Sequence, residues 1–427
     1  MLMYRSIFLL VLVLIFSACS NSSKVEVKGY EKVFEDEDNY ILLALRAEQL
    51  HSYKQASKFF RILYEKSKKK EYLYRLIANQ LALKEYKDIL ESVKFDEDDL
   101  VLKRMEVISL INLHREKEAE VKALALVKLS KKAEDYLLVS DLYISQKKFN
   151  KALKYLESAY IKEYNEKILD RMSTILYVNL GRKKEAIAQL ETHSRVYSCS
   201  KLICGKLISL YSDQNNIDGL LSAYLRYYNV NKNDNIAEKI IQIYNYKQEY
   251  IKLIDFLKEN KINDEMLLEL YLKIKDYKNA YKVAENIYDK TANIKYLGKS
   301  AIYEYESKNG NFTDEDILKI VQKFDKVVLE DESALYLNYY GYLLIDHNLD
   351  VKKGIKLIKK AIKLEPNSSF YLDSLAWGYY KLHKCKKAKE IMDKVIKLDG
   401  GTHKEILSHI KFIDKCLSKN IKSKGKK

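Results

Sequence analysis

The residues of this chain best suited to do chemistry are its five cysteines. Cys19 ends an apolar run near the N-terminus, and Cys199, Cys204, Cys385 and Cys416 lie far downstream. In an oxidising compartment an even set of thiols invites pairing. Cys385 stands 15 residues before Gly400 and Cys416 16 after it (400 − 385, 416 − 400). Two helices running antiparallel about Gly400-Gly401 bring these thiols opposite each other, and bridging then needs Cα atoms within ~7 Å. The alternative is two ordinary helix residues that merely come near. Cys199 and Cys204 are five apart, off-face in a regular helix, so their pairing requires Cys199 to lie outside the helix. Other reactive constellations are missing from the sequence: it has no Gly-rich phosphate loop, no HExxH-type metal pair and no Ser nucleophile elbow. The seven histidines are scattered, and His403 and His409, six apart, do not share a helix face. Carboxylates stand at salt-bridge spacing with lysines, as solvated helix faces require. The expectation is a non-enzyme with no cofactor, no metal and no small-molecule substrate.

Cys19 belongs to a different pattern. Arg5 is the only charge before the unbroken apolar run Ile7 to Phe16, and Ser17-Ala18-Cys19 closes that run with small residues. Ten apolar residues are too few to span a bilayer, which takes about 20, but they suit a secretory signal. Phe16-Ser17-Ala18-Cys19 resembles a bacterial lipobox, with Phe16 in place of the usual Leu. The resemblance implies cleavage after residue 18, acylation of Cys19, and stable anchoring by several chains, palmitate among them. Ser20, rather than Asp, follows the cysteine. That implies the inner leaflet of an outer membrane, facing the periplasm of a bacterial envelope. Residues 19–36 then read as lipidated cysteine and flexible tether. The run Glu35-Asp36-Glu37-Asp38 reads as a helix N-terminal cap rather than a ligand site.

The rest of the chain is periodic. Leu372, Leu375, Ala376 and Tyr379 recur at helical spacing, a turn spans Leu382 to Lys386, and Ala388, Met392 and Val395 supply a second helix. Gly354 lies 34 residues before Ala388 (388 − 354), and Ala186 lies 34 beyond Ala152 (186 − 152). With only 12 Gly and a single Pro, the chain lacks the turn residues of a β-rich or loop-rich fold. A fixed period of this size means stacked helix pairs, each buried against its neighbours. Small residues at Ala44, Ala152, Ala186, Ala280, Gly354, Ala376 and Ala388 mark where helices cross most closely. These positions resemble the tetratricopeptide repeat (TPR) family. The resemblance implies an all-α, right-handed superhelical solenoid of about eleven helix pairs with a C-terminal capping helix. The expected divisions are a TPR-like array over 37–195, degenerate helical repeats over 196–330, and two well-formed repeats over 331–400. A capping helix over 401–418, with the stripe Ile406, Ile410, Ile413 and Leu417, and a basic tail over 419–427 complete the chain.

The net charge of +16 would suit nucleic acid or an anionic surface. The lysines, however, are spread along every helix among 60 acidic residues, and an exported chain meets little nucleic acid. No nucleic-acid partner is expected. In the TPR family the first helix of each pair lines a groove that binds peptides, so the resemblance points to Asp373, Trp377, Tyr380 and Lys381, joined by Asn338 and Tyr342. Trp377, the only Trp, is either a hot-spot anchor in that groove or a core residue against the neighbouring pair. The Lys and Asn arrangement that clamps a peptide carboxylate in some relatives is not reproduced. The implied function is a lipid-anchored scaffold, with protein partners in an envelope complex such as an outer-membrane translocation, pilus or flagellar machine. The alternative is a periplasmic or surface module that binds a ligand or cell-wall glycan.

Overall fold

The computed structural model describes residues 32–399 and 402–424. The signal segment, Cys19 and most of the tether lie outside the described residues, as do Gly400-Gly401 and 425–427. Among the described residues there are helices and no strands. The chain divides into two compact units, the first ending at Ala237 and the second beginning at Glu238.

The first unit contains α1 (Glu37–Gln49), α2 (Tyr53–Ser67), α3 (Lys70–Ala82), α4 (Tyr86–Ser92), α5 (Leu100–Asn112) and α6 (Glu116–Ser130). Next come α7 (Ala133–Ser145), α8 (Phe149–Glu163), α9 (Glu166–Thr174), α10 (Lys183–Val196), α11 (Lys201–Asp213) and α12 (Ile217–Val230). α9 continues into a π-helical turn at Ile175–Asn179. The unit boundary falls inside α13 (Asp234–Tyr246). The second unit continues with α14 (Tyr250–Asn260), α15 (Asp264–Lys273), α16 (Tyr277–Thr291), α17 (Ile294–Ser307) and α18 (Asp314–Glu330). It closes with α19 (Ala334–Asp346), α20 (Val351–Leu364), α21 (Ser369–Lys381), α22 (Cys385–Asp399) and α23 (Lys404–Lys424).

Odd-numbered helices up to α21 open a pair and even-numbered ones close it, leaving α23 as a single terminal helix. Each unit is an all-α array of stacked, TPR-like helix pairs. Its turns explain the pairing. The residue that reverses the chain inside a pair is left-handed at His51, Lys84, His114, Lys147, Gly181, Asn215, Gln248, Lys275, Asn348 and His383. Most of these are not glycine, so the turns carry a cost of about 1–2 kcal/mol each that packing of the helices offsets. The same turn recurs at Asn215, Gln248 and Lys275 inside the segment that reads as degenerate, while its last pair turns through a longer loop with Asn309 and Gly310 both left-handed.

Helices meet where side chains are small. Ala44, Ala152, Ala186, Ala280, Ala376 and Ala388 are each 0% exposed. Adjacent first helices are also tied by charge. Glu37, fully buried, accepts from Lys69 Nζ and Tyr72 Oη at 2.7 Å and from the Val33 amide at 2.7 Å. Asp135, equally buried, receives a bidentate fork from Arg104 at 2.5 and 3.0 Å. Lys206 on α11 pairs with Asp170 on α9 at 3.0 Å. These carboxylates therefore do more than solvate helix faces, and Glu37 ties α1 to the start of α3. The side chain of Asp36, at the N-cap position, makes no capping bond.

Both cysteine pairs are bonded. Cys199 precedes the N-cap Ser200 of α11, outside the helix, with its Cα 5.3 Å from that of Cys204. Cys385 opens α22 and meets Cys416 on α23 across a Cα distance of 5.8 Å. Peptide mapping of the purified protein, without reductant, is expected to recover Cys385 joined to Cys416. The bridge then clamps the terminal helix by ~3 kcal/mol, through loop closure in the unfolded chain. Two free thiols would remove this clamp from the account.

Candidate partner-binding face of the second unit

The second unit ends with three helices that place aromatic and charged side chains together. α21 is a first helix, so one of its faces packs on α20 and α22 and the other is left open to the next first-helix position along the array. Pattern alone puts Asp373, Trp377, Tyr380 and Lys381 on that second face, and α23 meets it. Trp377 stacks on His409 of α23 with ring centroids 4.1 Å apart and on Tyr380 at 4.7 Å. Phe412 of α23 stands edge-on to the indole at 5.8 Å and against Tyr380 at 6.1 Å. His409 Nδ1 donates to the Asp373 carboxylate at 2.9 Å. Trp377 Nε1 donates to Asp346 Oδ1 at the end of α19, 3.0 Å away. Lys381 donates to the Asp346 carbonyl oxygen at 2.9 Å and sits 5.2 Å over the indole. Tyr342 of α19 donates to Glu405 in the first turn of α23.

Five of the six groove residues expected from the sequence thus converge. Asn338 lies one turn before Tyr342 on α19, half-buried, with its buried Oδ1 making no hydrogen bond within the protein. Trp377 is 8% exposed and Asp373 5%, because α23 lies on them. Neither opens into a free groove. They form the seat of the terminal helix, and the accessible part of the face is Tyr342, Tyr380, Lys381, Glu405 and Phe412. His409, Glu405 and Phe412 were not legible as site residues. Their spacing of four and three (409 − 405, 412 − 409) makes a second stripe on α23 beside the apolar one, and that was the signal available.

The electrostatics follow from burial beside acids. Burial first, then Asp346 and Glu405, holds the Tyr342 phenol un-ionised far above its ordinary range. Burial followed by Glu306 does the same for Tyr339, and burial followed by Asp346 for Tyr305. Burial, helped by Glu405, raises Glu306, which accepts from Tyr339 at 3.3 Å. Burial lowers His347, with Asp346 opposing and Lys381 adding to the effect. At neutral pH the face therefore offers neutral phenols, flat rings, four acids and one ammonium. Such a set can bind, and it holds no activated nucleophile. Among the described residues no group of three or more His, Cys, Asp or Glu is placed to hold a metal ion.

No family model matches the sequence, and no curated protein matches it. Among solved structures, MamA from Desulfovibrio magneticus is 15% identical, covering 40% of this chain and 99% of its own, at a TM-score of 0.35. Yeast Tom70 is 14% identical over 90% of this chain and 97% of its own, at 0.32. A tetratricopeptide repeat protein from Parabacteroides merdae is 15% identical over 58% of this chain and 98% of its own, at 0.25.

Proposed function

We propose that this chain is a lipid-anchored scaffold of a bacterial envelope that holds protein partners, in the assembly or steadying of a translocation, pilus or flagellar complex. The observation that carries the reading is the convergence of α19, α21 and α23 on one aromatic and charged face. Phe412, 47% exposed, stands there beside half-buried Tyr380 and Lys381. Aromatic anchors next to polar groups are what binding hot spots need. The anchoring half of the proposal is supported by Phe16-Ser17-Ala18-Cys19, and residence in the periplasm by the small residues that close the apolar run.

Two arms of one experiment test this. Proximity labelling from the native protein is expected to recover a recurrent set of envelope proteins, and a Phe412→Ala variant, at a 47% exposed ring, to lose them while staying folded. Unchanged labelling by that variant would move the partner off this face. In the same strains Cys19→Ser is expected to leave the protein soluble in the periplasm, because an apolar run of ten residues cannot hold a mature chain in the bilayer. Cys19→Ser protein in the carbonate-washed membrane pellet would refute the lipid anchor.

A further inference from the structure

We propose that a cleft between α8 and α10 in the first unit binds an organic cation, an amine or guanidine carried on an apolar stem. The cleft holds about 540 Å³, within the range of small-ligand sites. Its floor is Leu169 and Met172 of α9, and its lips are Ile161 and Val196, 63% and 66% exposed. Four rings line one side. The centroids of Tyr160 and Tyr164 lie 5.5 Å apart, those of Tyr164 and Tyr197 5.5 Å, and those of Tyr197 and His193 4.9 Å. Tyr164 and Tyr197 are each 48% exposed, so ring faces are open to a cation, which they attract through their quadrupoles.

The polar groups of the cleft point the same way. His193 is 3% exposed, and its Nε2 faces Glu166 Oε1 at 3.6 Å, so the carboxylate favours the proton on that nitrogen. Nδ1 is then the acceptor of a hydrogen bond that the Tyr160 hydroxyl donates, 2.7 Å away. With its proton so engaged, the Tyr160 oxygen can only accept from a ligand. Gln189 contributes a buried Oε1 that makes no hydrogen bond within the protein. Two carboxylates, Glu157 and Glu185, complete the lining, and no Lys or Arg is among the lining residues of a chain that has 76 of them. Arg182 pairs with Glu185 at 2.6 Å, which leaves Glu157 as the carboxylate to meet the ligand. Burial, and then Glu185, pushes the Glu157 carboxyl up against the opposing pull of Arg182 and Lys154, and the charge of a bound cation favours the ionised carboxylate. A site built of acceptors, acids and open rings selects a donor that is positively charged and partly apolar.

Titration of the purified protein, by calorimetry and by the chemical shifts of its tyrosine rings, tests this with three probes of similar shape. Phenethylammonium is expected to saturate and to bind at least roughly tenfold more tightly than phenethyl alcohol, with 3-phenylpropionate weaker still. Glu157→Gln is expected to weaken the ammonium several-fold with melting unchanged, and Tyr197→Ala, an exposed ring, to do so as well, whereas Tyr160→Phe should weaken it at a lower melting temperature, because buried His193 loses its donor. Binding should also fade as the pH drops through the raised Glu157 range, since the charged carboxylate is lost there. A blocked Leu-Lys-Leu peptide separates the sources: tighter binding than phenethylammonium marks a partner's side chain, weaker binding a free amine. Equal affinity for the alcohol, no saturable binding of the ammonium, or full affinity in a folded Glu157→Gln protein would overturn the proposal.

Discussion

Gly354→Leu is expected to cost the second unit about 3 kcal/mol, the upper end of what overpacking usually does. The reason is a backbone contact. A Cβ on Gly354 would stand 2.6 Å from the Gly341 carbonyl oxygen and 2.7 Å from Ile345 Cγ1. A Cβ on Gly341 would meet Ile358 Cγ1 at 2.6 Å and the Gly354 carbonyl oxygen at 2.8 Å. Thus α19 and α20 cross backbone against backbone, and α20 cannot back away without lifting Ile358 and Ala361, both 0% exposed, from the core. In a unit of this size 3 kcal/mol lowers the melting temperature by roughly 6–12 °C. Gly205 provides the opposite case. It lies within α11 with nothing within 4 Å of an added Cβ, so Gly205→Ala should stabilise by about 0.5–1 kcal/mol through helix propensity alone. Calorimetric melts of the two variants decide the matter. If Gly354→Leu melted like the wild type, the close crossing, and with it the repeat register, would be wrong.

Much of this register was legible because burial writes a 3.6-residue period into each helix. Ala152, Leu156 and Ala159 on α8, and Ala388, Met392 and Val395 on α22, are all 0% exposed, as their spacing requires. The middle of the chain was less legible for a physical reason: a crossing needs only a fit of volumes, and different residues supply it. On α14 the core is made by Leu253, Ile254, Phe256 and Leu257, while Ile251 of the same helix is 60% exposed. On α12, Gly219 makes room for the ring of Tyr211, a pairing no periodicity reveals. Turns were also hard to read, because Lys, His, Asn and Gln adopt the left-handed conformation where glycine would have announced it.

The candidate face was half legible. Trp377, Tyr380 and Lys381 share a face of α21 because they are spaced three and four apart with Asp373, and that much is local. Their partners are not. His409 lies 36 residues from Asp373 and Glu405 63 from Tyr342, so both contacts depend on where α23 is seated. That seat is set by Ile406 and Ile413, 1% and 0% exposed, and by the bridge from Cys416. The apolar stripe says that the helix docks, but not at what rotation.

Trp377→Ala should therefore report on the seat of α23 before it reports on any partner. Truncating a buried Trp costs about 3–5 kcal/mol, and here it also leaves Asp346 without its indole donor and His409 without the ring on which it stacks. The expected result is a large fall in the melting temperature of the second unit, with faster proteolysis within α23. Binding by the folded fraction should be retained through Tyr342, Tyr380 and Lys381. A double-mutant cycle with His409→Ala isolates the stacked pair, and a coupling of roughly 0.5–1.5 kcal/mol is expected for rings in this geometry. His409→Ala alone removes the donor from Asp373, which is 5% exposed, so it should cost more than the stacking by itself. A Trp377→Ala protein that melts like the wild type yet releases its partners would place the indole in an open groove and leave α23 without its seat.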